Sequence, residues 1–192
     1  HNEPWVVAFV GYAAGVHAPG LQDPAAALRA AHHLLVSHGQ AVAVLRTNVG
    51  ARARIGMVLN LSWVDAAGDS PADQAAARRH DGQLNRWFLD PLYKGEYPAD
   101  MLEFYGPLVP EFPADDLKSA ATPTDFLGIN NYSRSVIGAG EVTPQNPLGI
   151  RSVRPQNSEY TAMDWEVHAP GLYKLLMRVH QDYAPAALYI TE

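Results

Sequence analysis

The sequence contains no cysteine, and it lacks several other features that define whole classes of protein. Without cysteine there is neither a disulfide framework nor a thiolate site, and the redox compartment stays undetermined. No apolar run reaches the ~20 residues that a membrane-spanning helix needs. Acidic residues outnumber basic ones by 20 to 14, which gives a net charge of −6. This balance argues against nucleic acid or an anionic membrane as the main partner.

The sequence also lacks an initiator methionine and a signal peptide at residue 1. It begins inside a motif, His1–Trp5, and stops directly after an apolar stretch, Leu188–Glu192. We therefore expect residues 1–192 to be one domain of a longer protein, incomplete at both ends. A targeting segment would lie outside this piece, so the compartment stays open, with the cytoplasm weakly favoured.

Buried strands are predicted to alternate with helices along the chain. Apolar runs predict the strands, and apolar residues at helical spacing predict the helices. Two of these helices have clear start signals, Asp23-Pro24 and Ser70-Pro71. Residues 40–46 fit either helix or strand, residues 90–113 are interpreted as an irregular connection, and residues 138–167 as a loop with at most a short hairpin. The strands are predicted at 54–61, 125–132 and 187–191, and the helices at 5–14, 24–38, 70–89 and 170–183.

Polar residues follow the apolar part of each predicted strand. Alternation of strands and helices indicates βα units and a parallel sheet, and such sheets bind ligands beyond the carboxyl ends of their strands. The sequence therefore predicts one site at that edge of the sheet. Its candidate residues are Asn2, Glu3, Asn60, Asn130, Tyr132 and Glu192.

This combination of amides, carboxylates and an aromatic hydroxyl suits a neutral sugar. Cleavage of a glycoside needs two carboxyl groups, one to protonate the leaving oxygen and one that stays ionised. At a separation of ~5–5.5 Å the second can bond to the anomeric carbon, and configuration is retained. Glu3 and Glu192 are the candidate pair, although the sequence alone does not supply their distance.

Seven stretches in the same order along the chain resemble glycoside hydrolase family 1, the β-glucosidase family. The resemblance implies a (β/α)8 TIM barrel, with this chain running from about the end of strand 4 to the end of strand 7. It also implies a retaining β-glycosidase that acts on small β-glucosides or oligosaccharides without a cofactor. The stretches are residues 2–5, 15–20, 85–92, 95–98, 125–130, 165–167 and 189–192.

The same resemblance implies a role for each candidate residue. Glu3 would be the acid/base, Glu192 the nucleophile, Asn2 a contact to the sugar 2-hydroxyl and Tyr132 a neighbour of the nucleophile. Trp165 would be a platform for the aglycone, and Asn60 and Asn130 would line the site. One departure is Asn131, which stands where many members have a second tyrosine, and we expect only a local effect. The residues that select among sugars would lie largely outside this piece.

Other polar residues are interpreted as structural. We expect Asp81 and Glu96 to pair with nearby arginines or backbone, and Glu166 to anchor the helix opened by Pro170. The histidines 17, 32, 33 and 38 have no metal-ligand spacing, so no metal site is predicted. Trp87 and Phe88 are predicted to be core residues.

A second hypothesis is a sugar-binding or purely structural barrel piece without turnover. We expect the isolated chain to be inactive and prone to aggregate, because a partial barrel leaves sheet edges and apolar surface uncovered. The sequence does not fix the oligomeric state, and a homo-oligomer of the longer protein is compatible with it.

Overall fold

The computed structural model describes residues 1–192, with every side chain except that of Ala51. Six strands and six α-helices are joined by two π-helical segments, Val6–Ala13 and Gly82–Arg86, and two 3-10 turns, Gly50–Arg52 and Gly106–Leu108. The strands are β1 Gly56–Asn60, β2 Val64–Ala66, β3 Phe126–Asn130, β4 Ser135–Ala139, β5 Ile150–Ser152 and β6 Leu188–Ile190. The helices are α1 Pro24–Val49, α2 Pro71–Asp81, α3 Trp87–Lys94, α4 Ala99–Tyr105, α5 Asp116–Ala120 and α6 Ala169–Tyr183.

The main sheet is parallel, as the alternation of strands and helices predicts. Its order is β1-β3-β6, and in register Asn60 pairs with Asn130. The segment around Asn2 lies beside β1 as a further parallel neighbour, with the Glu3 amide donating to the Val58 carbonyl at 3.0 Å. The carboxyl ends of all four segments therefore meet at one edge.

Helix α1 is longer than predicted, and the expectation that it ends at Gly39 is wrong. Asp23 caps it by accepting from the Ala26 amide at 3.0 Å, but the helix continues through Gly39 to Val49 and includes residues 40–46. A Cβ at position 39 would lie 1.8 Å from the Ser119 carbonyl oxygen. The glycine thus permits the close packing of α5 on α1 rather than terminating the helix.

A second, smaller sheet covers part of the region that was expected to be loop. Strand β4 pairs in parallel with β2 and antiparallel with β5. The expectation of at most a hairpin between residues 138 and 167 is therefore too simple, since β4 begins at Ser135 and also pairs outside that range. Similarly, residues 90–113 are not wholly irregular, because they contain the end of α3 and all of α4.

The core lies between the main sheet and the helices that cover it. Trp87 and Phe88 are fully buried, as predicted, with Trp87 stacked on Tyr97 at a ring distance of 4.3 Å. Asp81 pairs with Arg86 at 2.8 Å and with Arg178 at 2.6 Å, which joins α2 to α6 and agrees with its structural interpretation. Glu96, in contrast, is exposed.

In the described part of the chain, no helix combines the length and the apolar character that crossing a bilayer requires.

Candidate active site

Five of the predicted residues meet at the carboxyl edge of the main sheet. Asn2 and Glu3 come from the segment beside β1, Asn130 ends β3, Tyr132 follows it, and Glu192 follows β6. Backbone pairing continues past the strand ends, since the Asn131 amide donates to the Glu192 carbonyl at 3.0 Å. The parallel ladder itself therefore holds these side chains together.

The buried amide of Asn130 connects both glutamates. Its Nδ2 donates to Glu3 Oε1 and to Glu192 Oε1, each at 2.9 Å, and lies 3.3 Å from Asn2 Oδ1. Thr191 Oγ1 donates to Asn130 Oδ1 at 2.6 Å. Because Thr191 donates to the oxygen of the amide, the NH2 group faces the opposite way, toward the two carboxylates. Ionised carboxylates only accept hydrogen bonds, so they need such a donor.

The two carboxylates are close neighbours. Their nearer oxygens contact the same nitrogen at 2.9 Å, so these oxygens cannot be farther apart than twice that distance. An inverting glycosidase holds its carboxyl groups about 6.5–9.5 Å apart to leave room for a water, whereas a retaining one holds them about 5–5.5 Å apart. This limit on the two oxygens is compatible with the shorter separation of the carboxyl groups.

Tyr132 is a second donor to the same pair. Its hydroxyl lies 3.2 Å from Glu3 Oε1 and also hydrogen-bonds Glu192 Oε2. The hydrogen bond to Glu192, then partial desolvation and the negative charge of Glu3, raise the pKa of Tyr132 well above its ordinary value. The phenol therefore keeps its proton and can donate it to a carboxylate.

The backbone at Glu3 has an uncommon conformation. Its φ of 48° lies in the left-handed region, which L-residues seldom adopt. The Glu3 carbonyl accepts from the amides of Val6 and Val7, at 3.0 and 3.3 Å, at the start of the first π-helix. The conformation turns the chain sharply from strand to helix and fixes the direction of the carboxyl group.

Trp165 and Asn60 lie farther from the carboxylates. The Trp165 ring is 4.9 Å from the Tyr132 ring and remains 40% exposed. Asn60 and Trp165 line a cleft of about 220 Å³ together with Asn130 and Tyr132. Among the described residues no side chain hydrogen-bonds the Asn60 amide, so Asn60 lines this cleft without joining the network.

Thr191 was missed by sequence reasoning although it orients Asn130. Thr191 lies between Ile190 and Glu192, and nothing in its immediate sequence marks it as more than a strand residue.

Asn131 turns away from the carboxylates and donates to the Leu61 carbonyl at 2.8 Å.

The expectation for Glu166 is wrong. It does not anchor α6, whose first turn is capped instead by His168 Nδ1 accepting from the Gly171 amide at 3.0 Å. Glu166 pairs with Arg134, because the guanidinium offers it two parallel N–H groups at 2.7 and 2.9 Å.

Within the described residues, no group of three or more His, Asp or Glu side chains is arranged to hold a metal ion. His32 is buried between the Tyr97 hydroxyl and the Asp116 carboxylate, each at 3.0 Å. Burial lowers the pKa of His32 despite this carboxylate.

The sequence profile of glycosyl hydrolase family 1 matches residues 1–192. The chain belongs to glycosyl hydrolase family 1. It is 39% identical to Beta-glucosidase A of Acetivibrio thermocellus and to Beta-glucosidase A of Thermotoga maritima. Each match includes 100% of this chain but only 43% and 42% of those proteins, so the chain spans about two-fifths of their length.

Solved structures of family 1 enzymes have the same fold over this region. A beta-glucosidase from Exiguobacterium marinum matches with a TM-score of 0.92 at 39% identity, over 100% of this chain and 43% of that one. A Thermotoga maritima family 1 glycoside hydrolase, complexed with a cyclophellitol analogue transition state mimic, matches with a TM-score of 0.91 at 38% identity, over 100% of this chain and 42% of that one. The fold is thus part of a (β/α)8 barrel, as the sequence predicts.

Proposed function

We propose that the protein containing this chain is a retaining β-glycosidase that hydrolyses terminal β-D-glucosyl residues of small β-glucosides. The observation that carries the proposal is the shared contact of Glu3 and Glu192 with the Asn130 amide, at 2.9 Å each. Two carboxyl groups this close suit a double displacement. The names of the relatives, several of which are beta-glucosidases, support glucose as the sugar.

In the first step a Glu192 oxygen attacks the anomeric carbon, and the bond from that carbon to the leaving oxygen breaks. Glu3 gives its proton to the leaving oxygen, which departs as an alcohol. In the second step Glu3 takes a proton from water, and the water oxygen attacks the anomeric carbon and releases Glu192. Two inversions retain the configuration.

Hydrogen bonding supports this division of roles. Both oxygens of Glu192 accept a hydrogen bond, one from Asn130 and one from Tyr132, which holds the carboxylate in one orientation, as a nucleophile requires. At Glu3 both donors contact Oε1, and within the described residues no donor contacts Oε2. That second oxygen is available to carry the proton of a general acid.

The remaining residues have roles in binding. Asn2, within 3.3 Å of the Asn130 amide, would bind a sugar hydroxyl next to the reacting carbon. Trp165 offers an exposed aromatic face on the side of Tyr132 and would support the leaving group. Asn60 would line the same cleft.

The nucleophile can be identified by trapping in the full-length protein. A 2-deoxy-2-fluoro-β-glucoside with a good leaving group should inactivate it, since the fluorine slows both steps while the activated leaving group restores the rate of the first, so that the glycosyl-enzyme accumulates. We expect mass spectrometry of the digested protein to place the adduct on Glu192.

Two variants control this experiment. Glu192→Gln should take up no label, whereas Glu111→Gln, at an exposed glutamate away from the strand ends, should be labelled like the wild type. An adduct on another residue would contradict the assignment of Glu192. Absence of both labelling and turnover in the full-length protein would favour the alternative, a sugar-binding barrel without catalysis.

A further inference from the structure

The exposed Trp165 is carried by a short hairpin, residues 159–167, here called the Trp165 hairpin. Its two arms pair through the Thr161 amide and the Trp165 carbonyl at 2.9 Å, and through the Val167 amide and the Glu159 carbonyl at 2.8 Å. These bonds hold the hairpin together, but they do not fix its position on the barrel. That position must come from contacts with other segments.

Three consecutive residues supply such contacts. The Tyr132 ring packs beside the Trp165 ring, Ser133 Oγ donates to the Glu166 carbonyl at 3.1 Å, and Arg134 binds the Glu166 carboxylate. Tyr132 also donates to both catalytic glutamates of the proposed mechanism. One short segment therefore connects the Trp165 hairpin to the carboxylates.

The contact made by Arg134 is the strongest of the three. The guanidinium binds Glu166 through Nε at 2.7 Å and Nη2 at 2.9 Å, a two-point geometry that fixes both distance and angle. Its Nη1 binds Asp65 at 2.9 Å, and Asp65 in turn accepts from Trp63 Nε1 at 2.7 Å. Glu166 is only 5% exposed, and its hydrogen bonds to Arg134 lower its pKa to about 2. The pair therefore stays charged at any working pH.

Trp165 lies where a leaving group would pass. It lines the cleft that contains Asn130 and Tyr132, and it also lines a second cleft of about 310 Å³ bounded by Arg134, Tyr160 and Glu166. A small shift of the Trp165 hairpin would thus change the space available beyond the reacting carbon. The same shift would leave the Asn130 contacts to both glutamates in place, because they arise from the main sheet.

We propose that Arg134 is a positioning residue that, through Glu166, holds Trp165 at the distance from Tyr132 needed to bind leaving groups that contain a ring. The inference rests on the proposed β-glucosidase function and names the part of the substrate that the Arg134–Glu166 pair serves. In this role Arg134 acts through Glu166 and Trp165.

Two substrates of the full-length protein separate this role from a general structural one. Cellobiose has a sugar ring as its leaving group, whereas β-glucosyl fluoride has a single atom and nothing to stack on Trp165. The variants are Glu166→Gln, which keeps the shape but removes the charge, and Arg134→Lys, which keeps the charge but loses the two-point geometry. Lys118→Gln, which breaks an exposed ion pair with Asp115, is the control.

For Glu166→Gln we expect kcat/KM for cellobiose to fall roughly tenfold to hundredfold, because a misplacement of about 1 Å can cost this much. The value for β-glucosyl fluoride should stay within about twofold of the wild type. Arg134→Lys should show a smaller loss of the same kind, and Lys118→Gln should change neither value.

Equal losses on both substrates, or no loss on either, would overturn the role of Arg134. Failure of the wild-type protein to hydrolyse either substrate would instead remove the proposed function, and this inference with it. The two failures are therefore distinguishable.

Discussion

Asn130 determines the geometry of the candidate site. It is completely buried, and its NH2 group lies between two carboxylates that would otherwise repel each other. A neutral amide with two protons can satisfy both acceptors only if it is oriented correctly, and in the described structure Thr191 is the residue that sets this orientation. The proposed catalytic pair thus depends on a residue with no reactive chemistry of its own.

Thr191→Val in the full-length protein tests this dependence. Valine has the shape of threonine but cannot donate to Asn130 Oδ1, so a buried acceptor loses its partner. The Asn130 side-chain amide is then free to rotate by about 180° about its Cβ–Cγ bond. We expect kcat/KM for an aryl β-glucoside to fall about tenfold to hundredfold. The free energy of unfolding should fall by about 1–3 kcal/mol, measured by denaturant titration.

Thr191→Ser is the matched control, because serine keeps the hydroxyl. It should retain most of the activity and stability of the wild type. If Thr191→Val were as active as the wild type, the orientation of Asn130 would not depend on this hydroxyl.

For single residues, the sequence identifies which residues lie in the site better than it identifies the contacts between their side chains. Asn130 and Glu192 could be found because each comes at the end of an apolar strand, and parallel strands bring such positions to one edge. Glu3 could be found because Pro4 marks a strand-to-helix junction directly after it. The role of Thr191 could not be found, since it depends on how two side chains on neighbouring strands face each other. The partner of Glu166 was missed for a related reason, because Arg134 lies 32 residues away in sequence.

Among the elements, α1 shows how tertiary packing overrides a local stop signal. Gly39 reads as a helix end in the sequence, yet the helix continues for ten more residues to Val49. The glycine is needed because the Ser119 backbone of the α5 region approaches it too closely for any side chain. The close approach is a property of two elements that are distant in sequence.

Gly39→Ala tests whether the close packing of α5 on α1 requires a glycine at this position. Alanine is favoured over glycine inside a helix by about 1 kcal/mol, but the new Cβ would lie 1.8 Å from a backbone oxygen, which cannot rotate away. We expect the clash to dominate and the full-length protein to lose a net ~1–3 kcal/mol of unfolding free energy, measured by denaturant titration.

Gln40→Ala is the matched control for this substitution, since residue 40 is the exposed neighbour of Gly39 on the same helix. It should be neutral or slightly stabilising. A Gly39→Ala protein as stable as the wild type would show that α5 can move away from α1 at little cost.

Elements that carry an apolar run or a clear helical spacing are predictable from the sequence, and several short elements are not. Strands β1, β3 and β6 fall within the predicted ranges because each lies in an apolar run, and helix α6 begins one residue before its predicted range, which apolar residues at helical spacing mark. Strands β2 and β5 have three residues each, too few to show a period. The π-helical segments depend on a single extra residue per turn, which apolar spacing does not reveal.

For the whole molecule, the described fold is an open sheet rather than a closed barrel. The main sheet has β6 at one edge, and the segment around Asn2 lies outside β1 at the other. Tyr189 and Ile190 on β6 are 46% and 57% exposed. A closed barrel has no such edges, because each strand pairs on both sides.

We therefore predict that residues 1–192, expressed as a separate polypeptide, self-associate and do not hydrolyse aryl β-glucosides. Exposed apolar strand edges are templates for pairing with other chains. Size-exclusion chromatography with light scattering should show species larger than a monomer, with the full-length protein as reference. Ile190→Lys places a charge on the exposed edge strand and should shift the distribution toward the monomer. A monodisperse wild-type monomer, or hydrolysis by the separate polypeptide, would contradict the prediction.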